Sequence, residues 1–250
     1  MENNEKPCIV SFSSQGRENY NSAMLRLIST SKECGYEGDF LLHQFDGYVP
    51  DYRGVYITQG KSLNYPQPEA FQCYNHAEVP YLFKLAMIQI AREKGYKQVI
   101  WCDSTICMVK APLELLEVAK QTGVVAFDNL GHPLRPWISD IALERLEISE
   151  DELHHVPQIM ACVIIFDFSN QVAVEVFDEW VKFAQDGTSF QNSGSKREGF
   201  KAHRHDQAIL SGILYKKGIK LREYGDLVYE PNDVDLKFGD KFTFVNRGIK

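Results

Sequence analysis

The chain has 250 residues, 44% hydrophobic and 24% charged, which suits one globular domain with a sizeable core. Its net charge of −7 argues against a general nucleic-acid binder, because neutralising phosphates takes a basic surface. No apolar run approaches the roughly 18 residues that a helix needs to cross a bilayer, so no membrane span is expected, and peripheral membrane association stays open. The polar, acidic opening residues do not read as a secretory leader. Six cysteines (8, 34, 73, 102, 107 and 162) without a C-x-x-C spacing read as buried thiols of a reducing compartment, the cytoplasm.

Cys8 to Ser13 forms an opening strand that carries Ser11 and Ser13 and runs into the polar loop Ser14-Gln15-Gly16-Arg17. A helix follows from Asn19, with Met24, Leu27 and Ile28 on one face, and closes at Gly35. Phe40 to Phe45 makes a second strand. Residues 46 to 78 are rich in Tyr, Pro, Gly and Asn without a sustained period, and are expected to be a long loop, functional or locally structured. Pro80 opens a helix with Phe83, Met87, Ile90 and Ala91 at helical spacing. Lys84 falls off that stripe, where a solvated lysine competes with a ligand-binding one.

Val99 to Cys102 has the length and β-branched content of a buried parallel strand and ends abruptly at Asp103. A carboxylate at such a tip lies where open α/β sheets bind ligands. The plainer alternative is a turn begun by Asp103 with Ser104 and Thr105. Ile106 to Val109 is a further strand, Pro112 opens a helix through Lys120, and Val124 to Phe127 is a short strand ending in a second carboxylate, Asp128. The acidic run Ser149-Glu150-Asp151-Glu152 has the composition of a helix N-terminus, and His154-His155 reads as surface. A strand from Ala161 to Phe166 precedes Asp167 and a helix capped by Ser169, whose Ala173, Val176, Phe177, Trp180, Val181 and Ala184 form a core stripe.

Residues 185 to 202, rich in Gly, Ser, Asn and Lys, are expected to form a mobile loop. His203-Arg204-His205-Asp206-Gln207 then opens a helix with Ile209, Leu210, Ile213 and Leu214. Capping explains part of this polar run; imidazoles and a carboxylate at such spacing also suit metal or phosphate binding.

In their order and spacing these segments resemble nucleotide-sugar glycosyltransferases of the GT-A fold. The resemblance rests on Ile-Val-Ser-Phe-Ser, the helix at Phe83-Lys84, and Val-Ile-Trp-Cys-Asp-Ser-Thr followed by Pro-Leu-Glu-Leu-Leu, near the place of the family's Asp-x-Asp motif. It extends to Met160–Asp167 and His203–Ser211, and covers about residues 8 to 225. It implies a single α/β domain over 1–250, Rossmann-like, with a central mostly parallel sheet flanked by helices. A donor-binding half would span about 8–128 and an acceptor half about 129–250.

The activity implied is hexosyl or pentosyl transfer from a nucleotide-sugar donor, UDP-linked as the first expectation, to a hydroxyl of a saccharide or related acceptor in glycan or polysaccharide synthesis. Ser11, Ser13, Arg17, Lys84, Asp103, Ser104, Thr105 and Gln207 would bind the donor. Asp206, Asp128 and Asp167 are the acidic candidates for catalysis. Asp103, Thr105, His203 and His205 would hold a divalent cation, manganese by preference, since imidazole suits it better than magnesium. Thr105 departs from the motif, because a hydroxyl is a poorer ligand than carboxylate for a hard cation. Lys84, Arg17 or Arg247 could neutralise the diphosphate instead. A sugar nucleotidyltransferase, and a GT-A-like module that binds nucleotide or glycan without turnover, are the alternatives.

Overall fold

The first strand, β1 (Cys8–Ser13), is buried along its whole length, as expected of a strand covered on both faces. The computed structural model describes residues 5–13, 18–45, 55–60, 79–191, 193–223, 226–229 and 242–247. After β1 come α1 (Glu18–Glu33), β2 (Asp39–Phe45), β3 (Val55–Gly60), α2 (Leu82–Glu93), β4 (Gln98–Cys102) and β5 (Ile106–Met108). The middle of the chain gives α3 (Leu113–Thr122), β6 (Val124–Val125), β7 (Asp128–Pro133), a 3₁₀ turn (Arg135–Trp137), α4 (Asp140–Leu146), α5 (Glu150–Leu153) and β8 (Pro157–Ile159). It ends with β9 (Val163–Asp167), α6 (Gln171–Gln185), α7 (His205–Lys216), β10 (Leu227–Tyr229) and β11 (Phe244–Asn246).

The main sheet has the order β3-β2-β1-β4-β9-β6. The strands β3, β2, β1 and β4 are mutually parallel, and β9 runs antiparallel to both β4 and β6. Alternate residues feed two cores, as the two-residue period of a strand requires. Val10, Val99, Trp101, Ile164 and Phe166 pack with α2, α4, α6 and α7 on one face. Ile9, Phe40, Ile100, Cys102 and Ile165 pack with α1 and α3 on the other. This is the layered α/β architecture expected from the sequence. Small sheets of β10-β11-β5 and β7-β8 complete it.

Strand order reverses between β1, which leads outward to β2, and β4 on its other side. The cleft at the C-terminal ends of that pair is where open α/β sheets place ligands. Asp103 stands there.

Several local expectations change. The stretch 46–78 takes the locally structured alternative over Val55–Gly60, which form β3, an edge strand of the main sheet; residues 46–54 and 61–78 lie outside the described residues. The strand before Asp128 is only Val124–Val125, and Asp128 opens β7 instead of ending a strand. Asn170, not Ser169, caps α6, its side chain accepting from Val172 N. The acidic run forms α5 through a reciprocal capping box between Ser149 and Glu152.

The expected mobile loop is fastened down over residues 193–204. Ser195 Oγ and Lys196 N donate to the two carboxylate oxygens of Asp140, at 2.5 and 3.1 Å. The Arg197 guanidinium donates to Asp140 and to the carbonyls of Arg135 and Ile138. Lys201 N donates to Pro136 O and Arg204 N to Trp137 O.

Gly123, between α3 and β6, has φ +85°, and a Cβ there would lie 2.8 Å from Ala173 N. Gly123→Ala therefore meets backbone strain and a backbone clash together. We expect it to lower unfolding free energy by about 2 kcal/mol or more. The check is a shift of the urea midpoint at unchanged slope.

Candidate functional site

Asp103 begins a turn and also faces a cleft. Its N–H donates to Cys162 O at 2.8 Å and its carbonyl accepts from Ile106 N at 3.0 Å. Trp101 Nε1 donates to Asp103 Oδ1 at 2.7 Å, which fixes the carboxylate, and the side chain remains 41% exposed. The turn therefore aims the carboxylate instead of competing with its use.

Lys84 is where pattern reasoning from the helix stripe falls short. It is 3% exposed, on the first turn of α2. Its Nζ donates to Asp206 Oδ2 at 2.7 Å and to Ala161 O at 2.9 Å, and lies 4.0 Å from Asp103 Oδ1. The ring centroid of Trp101 is 5.3 Å away and that of Tyr81 5.9 Å. Burial alone would push the ammonium down, but Asp206 and Asp103 hold it above its ordinary value, so it stays charged. Three elements (α2, the tip of β4 and the start of α7) thus meet on one buried cation.

The start of α7 divides its residues between structure and cleft. His203 is buried; its Nδ1 accepts from Ser139 N at 3.2 Å and its Nε2 faces Ser189 O at 2.8 Å. These bonds set the Nε2–H tautomer and use both nitrogens, so His203 braces the neighbouring segments and has no lone pair for a metal. His205, at φ +40°, holds Phe190 O through Nδ1 at 2.7 Å and lies against Tyr81, ring centroids 5.5 Å apart. Tyr81 is itself left-handed at φ +65°, and strain of this kind gathers at ligand sites. Asp206 caps no helix; it answers Lys84, and Trp180 Nε1 pins its carbonyl at 3.1 Å. Gln207 Nε2 donates to Ile159 O at 2.6 Å, leaving its carboxamide oxygen for the cleft.

Two adjoining cavities share Tyr81, Asp103 and His205. The first, about 640 Å³, adds Lys84, Asp206, Gln207, Gln158, Trp137 and Arg204. The second, about 610 Å³, is walled by Phe12, Tyr20, Phe83 and Trp101 beside Ser104 and Thr105. Phe12 stacks between Phe83 and His43, at 4.3 and 5.3 Å, so this wall is a continuous aromatic surface.

Other expected site residues lie elsewhere. Asp167 ends β9, which runs against β4 so that Asp167 pairs with Gln98, at the opposite end of the strand from Asp103. There it accepts from Gln98 Nε2 and Ser169 N, a structural role. Asp128 accepts from Gly131 N in a tight turn and lines neither cavity. Ser11 and Ser13 are buried and alternate away from Phe12; Ser13 Oγ donates to Asn21 Oδ1 at 2.5 Å, so both fall on the α1 side. Arg17 lies outside the described residues. Phe12, Tyr20, Tyr81 and Gln158 carried no sequence signal beyond residue type. Pro80 directly before Tyr81 was the one hint of a shaped helix entry.

The expected cation ligands do not assemble. Among the described residues no group of three His, Cys, Asp or Glu side chains comes together as a metal site. His203 is used by Ser139 and Ser189, Asp206 by Lys84, and Thr105 offers only a hydroxyl. Of the expected set, Asp103 and His205 alone offer strong donors to the second cavity.

Among solved structures, the bifunctional glycosyltransferase WbbM in its apo form matches 99% of this chain and 46% of its own, with a TM-score of 0.56 at 14% identity. The chain thus spans about half the length of that protein. Mouse xyloside xylosyltransferase 1 in its apo form matches 96% of this chain and 97% of its own, with a TM-score of 0.54 at 9% identity. The chain has the GT-A fold. No protein-family model matches it, and no curated protein matches it in sequence. No described helix is long and apolar enough to cross a membrane.

Two measurements follow from the buried groups around this cleft. Lys84→Met strands a buried carboxylate at Asp206 and is expected to destabilise by about 3–5 kcal/mol. Lys84→Met combined with Asp206→Leu should recover most of that loss in urea unfolding, because both charges then go together. Burial pushes His203 down to about 4, against its Ser189 bond. The unfolded chain takes up that proton near pH 6.5 and the folded chain refuses it, so stability falls between pH 6.5 and 4, by about 3 kcal/mol for this residue. His43, also lowered to about 4 by burial, adds to the slope. His203→Gln should flatten His203's share in urea midpoints taken across that range.

Proposed function

We propose that the protein is a glycosyltransferase, moving a sugar from a nucleotide-sugar donor to a hydroxyl of a saccharide or related acceptor. The observation that carries this reading is Lys84, buried between Asp206 and Asp103 at the switch point of a GT-A sheet, where two cavities meet. The aromatic wall of the second cavity suits a nucleobase, with the Asp103 carboxylate beside it to accept from ribose hydroxyls and the Ser104 and Thr105 hydroxyls to donate to phosphate oxygens. Asp206 and Gln207, in the first cavity, face the sugar to be moved and the hydroxyl that receives it.

The chemistry asks for charge stabilisation on the departing diphosphate and for a route for the acceptor's proton. Lys84 spends its charge on Asp206 and Asp103, and its part is to hold those two carboxylates in place in a dry setting. His205 lines both cavities, and its Nδ1 bond to Phe190 O leaves Nε2 as the basic nitrogen. We assign it the acceptor's proton. No step is routed through a divalent cation, because the described donor set falls short of a metal site.

That same shortfall, with Thr105 in place of a second acid, favours one other reading: a module that binds nucleotide-sugar without turning it over. A panel of UDP-, GDP- and dTDP-sugars separates the two. The transferase releases nucleotide slowly from one donor; the binding module protects a donor without releasing anything. Asp103→Asn, folded as judged by circular dichroism, should lower donor affinity or turnover about tenfold or more, some 1.4 kcal/mol. Unchanged binding and rate in that variant would refute the site.

A further inference from the structure

The first cavity has a second charged feature at its rim, away from Lys84. Arg204 stacks its guanidinium on Trp137, 4.4 Å from the ring centroid, and Lys201 places its ammonium 5.3 Å from the same ring. The backbone reinforces the arrangement: Arg204 N donates to Trp137 O, and Lys201 N to Pro136 O. Both side chains are exposed, and among the described residues no carboxylate pairs with either. Every other arginine in this strap region is tied to an acid: Arg135 to Glu150, and Arg197 to Asp140 and Glu150. In a chain of net charge −7, an arginine stacked on a cavity ring without an acidic partner is a ligand feature more than a solubility feature; Lys201 lies by the same ring without lining the cavity.

A further donor stands in the same wall. Gln158 is 3% exposed; its oxygen accepts from Asn129 Nδ2 at 2.7 Å, while its Nε2 has no hydrogen-bond partner among the described residues. Buried polar groups in native proteins are nearly always satisfied, so a leftover N–H in a cavity wall points to an oxygen supplied from outside. The cavity's own carboxylates, Asp103 and Asp206, are both paired to Lys84.

We infer that the first cavity takes an anionic saccharide, its phosphate or carboxylate held by Arg204 on the Trp137 platform, with the free N–H of Gln158 in the same wall. Under the transferase reading, on which this identification of the acceptor rests, the acceptor is a charged sugar and not a neutral one. Arg204 gives the anion a planar, bidentate donor, and Trp137 fixes the fork so that little rotamer freedom is lost on binding.

Calorimetric titration of the full chain without donor tests this, with glucose, glucose 6-phosphate, glucuronate and inorganic phosphate as probes at low salt. At least one charged sugar should bind about tenfold more tightly than glucose, and Arg204→Gln should reduce that preference to about threefold or less. Preference for glucose 6-phosphate alone identifies phosphate as the group read; preference for glucuronate alone identifies a carboxylate; preference for both identifies charge. Equal binding of glucose, no binding of either charged sugar, or a preference that survives Arg204→Gln overturns the inference. So does inorganic phosphate binding as tightly as the sugar phosphate, the result for an adventitious ion only. Because donor is absent, a protein that releases no nucleotide yet prefers charged sugars loses only the transferase reading. One that turns over donor without that preference loses only the charged acceptor.

Discussion

A single ammonium group underlies the arrangement of this site. Lys84 enters the interior from α2, and its desolvation is offset only because Asp206, Asp103 and the Ala161 carbonyl converge on it. Those partners come from α7, the tip of β4 and the segment leading into β9. The contact therefore does more than hold charge: it fixes the relative position of the three chain segments that wall the first cavity. Trp101 acts twice, lending a ring to Lys84 and an N–H to Asp103. Such a network is stable only while every member is satisfied, which gives the site one geometry.

The rest of the first cavity is shaped by a different device. Residues 193–204 are held against Arg135–Asp140 by the Arg197 guanidinium, the Asp140 carboxylate and a run of main-chain bonds. His203 closes the arrangement from inside, bridging Ser139 and Ser189 with its two ring nitrogens. A neutral imidazole suits that position because it donates on one side and accepts on the other, which no other ring of its size does. Main-chain bonds from residues 201–204 to the 3₁₀ turn Arg135–Trp137 give Trp137 and Arg204 their mutual orientation.

The layered fold was legible because its strands are short apolar runs and its helices carry clear stripes; Met24-Leu27-Ile28 and Val176-Phe177-Trp180 are buried as spacing demands. Asp103 was legible for the same reason, since a carboxylate closing a buried strand is conspicuous. Asp128 and Asp167 looked equivalent in the sequence and are not. Strand direction decides which end of the sheet a terminal aspartate occupies, and a five-residue apolar run does not encode direction. Lys84 was read off its helix stripe as a side chain with a solvated alternative, because its partners lie 19 and 122 positions away along the chain. The fastening of 193–204 was hidden by composition: Gly and Ser signal a loop, and Arg197 and Asp140, which secure it, look like ordinary surface charge.

The two cavities are separated by no wall of their own. Tyr81, Asp103 and His205 belong to both, and two of these three residues have left-handed backbones. A ligand that orders those residues from one side changes the surface met by a ligand on the other. Linkage then makes the effect mutual: the factor by which the first occupant alters the affinity for the second equals the factor returned. Order of addition can thus alter the kinetics of complex formation while leaving the stability of the ternary complex the same.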